Sequence, residues 1–306
     1  MSILILGAAG MIGQRLARAL TGNHLILADV VAAPAMPRAE VLVLNLSSAG
    51  AAAQLIAKRP EVIFHLAAIV SGEAEADFEK GYQDNLDAAR ALFEAIRLMP
   101  NYRPRVIFAS SIAVFGPPFP AAIQDDLALA PRTSYGTQKA ITELLLADYA
   151  RKGFLDGIAI RLPTICIRPG KANKAASGFF SNILREPLAG FPAVLPVQDT
   201  VRHWFASPRT AVGFFLHAMT LDLAKLEGRI ALNMPGLSAT VAEEIEALRR
   251  VAGQKAVDLI HREPDATIQR IVASWPENFD PVRARALGFQ AETSFDQIIQ
   301  VHLEDH

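Results

Sequence analysis

Ser111, Tyr135 and Lys139 are the residues of this chain whose types and spacing suit proton transfer to or from an alcohol. Tyr135 and Lys139 stand four residues apart in Ser134-Tyr135-Gly136-Thr137-Gln138-Lys139, and Ser111 lies upstream in Ser110-Ser111-Ile112-Ala113-Val114-Phe115-Gly116. On a helix, the i, i+4 spacing stacks phenol and ammonium on one face. A free phenol titrates near pH ~10 and is a poor base at neutrality, but a neighbouring ammonium and a cationic nicotinamide ring both favour the phenolate. Tyr135 is therefore the candidate general base. Lys139 lowers its pKa and holds the nicotinamide ribose, and Ser111 donates to the reacting oxygen. Ser111 and Tyr135 thus count as substrate contacts too, and Tyr135 and Lys139 as cofactor contacts.

These residues need a scaffold, and the first half of the chain supplies one. Short apolar runs at residues 3–6, 25–28, 41–44, 62–66, 106–109 and 157–162 read as buried strands. Helix-period patterns at 13–20, 51–58, 84–98 and 135–152 alternate with them. Such alternation predicts an α/β fold, a parallel sheet with helices on both faces. Past Pro163 the text becomes loop-rich, through 168–174 and 191–196, and a substrate lobe is placed there. Further helices are expected at 209–221, 241–252 and 267–274 and near 295–302.

Between the first strand and first helix runs Gly7-Ala8-Ala9-Gly10-Met11-Ile12-Gly13. Glycines let the backbone turn tightly and approach a pyrophosphate, whose charge then sits among the unpaired N–H groups of the helix N-terminus. Gly7, Gly10, Met11, Ile12 and Gly13 are thus candidate dinucleotide contacts. Asp29 ends the second strand, placed to accept hydrogen bonds from both hydroxyls of an adenine ribose and to repel a 2′-phosphate. NAD is therefore the expected cofactor, with Asn45 and Leu46 bordering the adenine.

Composition excludes other classes. At 306 residues and 51% hydrophobic, the chain can bury a sizeable core. A net charge of -1 without a basic run gives no footprint for nucleic acid or an anionic membrane. The longest apolar runs, such as 62–70, fall short of the ~18 residues of a membrane span. Cys166 is the single cysteine, so no intrachain disulfide or cysteine zinc site exists, and a reducing cytoplasm is expected. The histidines lack metal-like spacing, and no metal is expected. His203, beside Arg202, is the histidine that could reach a substrate.

With these motifs in place, the chain resembles the extended short-chain dehydrogenase/reductases, the NAD-dependent epimerase/dehydratase family. The likeness spans most of the first half and includes His65-Leu66-Ala67-Ala68, the helix beginning near Asn85, and Arg161-Leu162-Pro163-Thr164. It implies a Rossmann doubly wound sheet over residues 1–165 and a smaller C-terminal α/β substrate lobe over 166–306, with some segments returning to the first domain. It also implies that Leu66, Ala67, Ala68 and Asn85 lie by the cofactor, that Pro163 lies by the carboxamide, and that two chains pair into a homodimer through helices 84–98 and 135–152.

Departures from the family narrow the chemistry. Sugar-nucleotide dehydratases carry an Asp-Glu pair directly after the catalytic hydroxyl residue; Ile112-Ala113 stand here, and neither side chain can move a proton. In nucleotide-sugar enzymes the segment matching 202–211 reads R-x-x-x-x-V-x-D-x-A; Arg202 is kept, and Arg209 replaces the aspartate. The loop with Arg168, Lys171, Asn173, Lys174 and Ser177 suits a small polyhydroxy acid, and Thr164, Arg168, Asn173, Lys174 and Arg202 are its candidate contacts. Within the family, residues 161–180 are most similar to the D-erythronate dehydrogenases, which oxidise the C2 hydroxyl of a four-carbon sugar acid with NAD. Uronate dehydrogenases and nucleotide-sugar epimerases are the alternatives, and a non-catalytic NAD sensor is a third, disfavoured because such proteins often lose the tyrosine or lysine.

Overall fold

The computed structural model describes residues 1–170 and 176–305. Among the described residues a central sheet has seven strands: β1 (Ser2–Leu6), β2 (His24–Asp29), β3 (Ala39–Val43), β4 (Val62–His65), β5 (Arg105–Ser111), β6 (Asp156–Leu162) and β7 (Ala231–Asn233). Their spatial order is β7-β6-β5-β4-β1-β2-β3, and every neighbouring pair is parallel. Strand order reverses between β1 and β4, so a crevice opens beyond the carboxyl ends of these strands.

Helices α1 (Met11–Ala19), α2 (Ala51–Ile56), α3 (Ala88–Leu98), α4 (Ser134–Arg151) and α5 (Pro208–Thr220) cover both faces of the sheet. Ile3, Ile5 and Ile158 pack with Leu16, Phe214 and Phe215 on one side; Leu4, Leu6 and Phe108 pack with Leu55, Phe93 and Leu146 on the other. Successive strand residues thus enter opposite cores, which is why these strands read as unbroken apolar runs.

A second core gathers Phe179, Phe180 and Ile183 of helix Gly178–Leu188 with Ile245 and Leu248 of helix Val241–Ala252 and Ile298 of helix Phe295–Asp305. Beside it, strands Thr164–Ile165, Arg202–Ala206 and Leu237–Thr240 form a three-stranded sheet with Arg202–Ala206 in the middle. Two elements here carry no clear sequence signal. Helix Gly178–Leu188 begins at Gly178 and contains Pro187, and β7 is three residues long and paired with residues more than sixty positions earlier. The helix expected at 84–98 begins with a π-helical turn, Gln83–Asp87, before α3. Among the described residues no helix is long and apolar enough to cross a membrane.

Candidate active site

The glycine turn carries β1 directly into α1. A Cβ on Gly13 would lie 2.2 Å from the Gly7 carbonyl oxygen, so glycine at that position allows the helix to close onto the turn. The first N–H groups of α1 lack intrahelical acceptors and form an anion site. A groove of about 400 Å³ beside the turn is lined by Gly7, Gly10, Asp29, Asn45, Leu46, Leu66, Ala67 and Ala68. The Asp29 carboxylate accepts from Ala9 N at 2.9 Å and from Val30 N at 2.7 Å, which fixes it at the end of β2. A dinucleotide fits this cradle of glycines with one fixed carboxylate. Asp29→Ser removes the charge that a 2′-phosphate would meet, so the NADP:NAD ratio of kcat/KM is expected to rise at least ~10-fold, read by steady-state kinetics with both cofactors.

Asn85 takes a different place from the one expected. It is 2% exposed, off the groove wall; Ile69 N donates to its Oδ1 at 2.9 Å, and its Nδ2 donates to Gln138 Oε1 at 2.7 Å. Asn85 thus clamps the loop after β4 onto α4, a role that a buried amide with donors and an acceptor can fill.

An adjoining cleft of about 360 Å³ is lined by Met11, Ile12, Ser111, Tyr135, Pro163, Thr164, Arg168 and His203, together with Ile112 and Ala113. Its chemical end is built by close approach. Thr133 caps α4 by accepting from Gly136 N at 3.0 Å, and a Cβ on Gly136 would lie 2.1 Å from the Ala113 carbonyl oxygen. That contact presses the start of α4 against the end of β5 and sets Tyr135 and Ser111 side by side in the lining of one cleft. Ser111 Oγ also accepts from Ala113 N at 3.1 Å, which leaves its proton free to donate.

Lys139 is 2% exposed; its Nζ donates to the Ala109 carbonyl at 2.8 Å and lies 5.5 Å from the Tyr135 ring centre. Burial pushes the Lys139 ammonium down to about 7, with Glu143 opposing. Burial likewise pushes the Tyr135 phenol up to about 12, against the hydrogen bond from Ser111 and the positive charge of Arg168. Arg168 is thus a further cation acting on the tyrosine, beyond the Lys139 ammonium and the nicotinamide ring named from the sequence.

Behind the pair lies a buried network absent from the sequence reading. Glu143, one turn after Lys139, binds Arg161 through several contacts, the shortest 2.8 Å, and accepts from Ser110 Oγ. Arg161 also donates to Asn233 Oδ1 of β7 at 3.1 Å. Tyr135, Lys139 and Glu143 thus form one i, i+4, i+8 stripe of α4. The continuation of that spacing to an acid was the available signal.

The basic residues divide. Arg168 lines the cleft, held by Nε donating to Ile165 O at 3.1 Å and Nη2 to Ser177 Oγ at 2.5 Å. Arg202 is placed outside the cleft lining, where it pairs with Glu243 at 3.4 Å and donates to the Ser238 carbonyl. Adjacent residues of a strand point to opposite faces, and His203 takes the face that meets the cleft. Arg209 pairs with Glu304 and Asp305, both at 2.7 Å, and so ties α5 to the last helix. Asn173 and Lys174 lie outside the described residues, as does Lys171. Among the described residues no group of three His, Cys, Asp or Glu side chains is placed to hold a metal ion.

The profile of the NAD dependent epimerase/dehydratase family matches residues 3–206. The chain belongs to this family. It is 47% identical to a D-erythronate dehydrogenase of Cupriavidus necator, the match covering 100% of this chain and 98% of that protein. A D-erythronate dehydrogenase of Haemophilus influenzae is 45% identical, with 99% of each chain covered. A crystal structure described as the nucleoside-diphosphate-sugar epimerase of Agrobacterium tumefaciens superposes with a TM-score of 0.97 at 57% identity, covering 100% of this chain and 94% of that one. The fold is thus the Rossmann-like fold of the family, the cofactor is NAD, and the chain is an NAD-dependent dehydrogenase of CH–OH groups.

Proposed function

We propose that the chain oxidises the C2 hydroxyl of D-erythronate to 2-dehydro-D-erythronate. The observation that carries this reading is Arg168, a half-buried guanidinium beside Tyr135 in the cleft, with no carboxylate partner among the described residues. Burying a cation without a counter-charge is costly, and a bound carboxylate returns that cost as charge-assisted hydrogen bonds. A hydroxy acid whose carboxylate meets Arg168 brings its α-hydroxyl to the hydroxyl groups next to it, Ser111 and Tyr135. The two D-erythronate dehydrogenases, matched over their full lengths, support the four-carbon acid.

When bound, NAD supplies the hydride acceptor at nicotinamide C4. Gly7, Gly10 and Asp29 would hold its adenosine and pyrophosphate, Gly13 lets the helix close onto that turn, and Met11, Ile12 and Pro163 border the cleft where its ring would enter. The substrate loses its C2 hydride and its hydroxyl proton, and the C2–O bond becomes a carbonyl. Tyr135 Oη, as the phenolate, takes the proton and becomes a phenol, Ser111 Oγ donates to the substrate oxygen, and Lys139 Nζ holds positive charge near the ring that favours the phenolate beforehand. Ile112 and Ala113 offer no second proton carrier at this end of the cleft.

The epimerase description of the Agrobacterium structure marks the second reading, because an epimerase would share this pocket. Against it stands Arg202, the arginine that would grip a diphosphate, which is engaged by Glu243 instead. A panel of four- to six-carbon aldonates, uronates and nucleotide sugars, assayed by NADH absorbance, separates the two. The highest kcat/KM is expected for D-erythronate with net NADH release; isomerisation of a nucleotide sugar with no NADH release would overturn the reading.

A further inference from the structure

His203 lines the cleft, yet it is 2% exposed, stacked on Phe180 with ring centres 5.3 Å apart and packed against Trp275. Both ring nitrogens are engaged: Nδ1 lies 3.0 Å from the Pro276 carbonyl oxygen, and Nε2 lies 2.6 Å from Thr164 Oγ1. A backbone carbonyl only accepts, so the imidazole proton sits on Nδ1. Burial, with Arg168 nearby, pushes the His203 pKa down to about 3, and the ring carries that one proton alone. Nε2 therefore offers a lone pair, and Thr164 donates its single hydroxyl proton to it. Toward the cleft the Thr164 oxygen presents only lone pairs.

We propose that Thr164, its proton held by His203, is an obligate hydrogen-bond acceptor in the cleft and selects substrates that carry a hydroxyl beyond C2. The inference rests on the C2-oxidation reading, in which Arg168 takes the carboxylate and Ser111 and Tyr135 take the reacting hydroxyl. Thr164 then faces the rest of the carbon chain. A hydroxyl there donates to it; a methylene leaves the Thr164 oxygen desolvated without a donor, and a carbonyl sets lone pair against lone pair. His203 is a positioning residue: it fixes the Thr164 proton and, through Pro276, the segment that borders the cleft.

The test compares D-erythronate with 2-hydroxybutanoate of the same C2 configuration, which lacks the hydroxyls beyond C2. Thr164→Val should shrink the ratio of their kcat/KM values by about 10- to 100-fold, with NAD affinity unchanged. His203→Phe should shrink it similarly, whereas His203→Gln should preserve it, because an amide can accept from Thr164 while donating to Pro276. An unchanged ratio in Thr164→Val, or a loss of NAD affinity in its place, overturns the proposal. Nitrogen-15 NMR of the full chain gives a second readout that needs no substrate: His203 is expected as the neutral Nδ1–H tautomer from about pH 5 to 9, and an Nε2–H tautomer or an imidazolium overturns the assignment. Failure of both acids to reduce NAD would sink the C2-oxidation reading, while the tautomer alone still decides the direction of the Thr164 hydrogen bond.

Discussion

Tyr135→Phe is expected to lower kcat for hydroxy-acid oxidation by about 10³- to 10⁴-fold while leaving the Kd for NAD near its native value. The substitution removes one oxygen and keeps the ring, so the packing at the start of α4 survives. The pH profile carries more of the argument. Burial holds the phenol up at about 12 and the Lys139 ammonium down at about 7, so the first proton to leave the pair as pH rises is the one on Lys139. The state with neutral lysine and phenol has the same proton count as the state with ammonium and phenolate. Reaching the ammonium–phenolate state therefore takes the loss of one proton only and does not require pH 12, because the two one-proton states interconvert by transfer within the pair. kcat/KM is thus expected to rise with pH through about 7 and then level off. Lys139→Met should move that limb alkaline, toward the phenol's own range. Stopped-flow single-turnover rates across pH, for the native chain and both variants, check this; a flat profile in the native chain, or a Tyr135→Phe variant within tenfold of the native rate, would remove tyrosine from the role of base.

The second large effect is at Arg168. Arg168→Met should cut kcat/KM for D-erythronate by about 10²- to 10³-fold, since removing one partner of a desolvated, hydrogen-bonded charge pair costs about 2–5 kcal/mol. Arg168→Lys should recover little, because Ile165 O and Ser177 Oγ hold the planar fork in a way that an ammonium cannot copy. NAD affinity should be unaffected in both, measured by fluorescence titration in the absence of substrate. A methionine variant that keeps its kcat/KM within threefold would place the carboxylate elsewhere.

The sheet and the Tyr135/Lys139 pair were legible in the sequence because local periodicity encodes them. Strands buried on both faces announce themselves as apolar runs, and an i, i+4 pair needs one helix to be meaningful. β7 was not legible, since three residues, Ala231–Asn233, gain their structure only from pairing with β6. Helix Gly178–Leu188 was hidden by its glycine and proline, which read as loop text, while its stability comes from packing Phe180 and Leu184 into the second core.

Within the site, Arg202 and Asn85 stand outside the cleft and groove linings for a shared reason. Both residues have types that bind ligands, and both spend those groups on internal partners that are distant in sequence, Ser238 and Glu243 for one, Ile69 and Gln138 for the other. Alternation along a strand would have separated Arg202 from His203 before any coordinates. The lowered Lys139 ammonium and the raised Tyr135 phenol were not legible at all, because they follow from burial depth.

Hydride transfer from C2 to NAD is the centre of this account, and D-erythronate deuterated at C2 tests it most directly. Incubated with the native chain and NAD, it should give one deuterium on the reduced nicotinamide for every 2-dehydro acid formed. Unlabelled NADH, or deuterium retained at C2 with no net NADH, would contradict it.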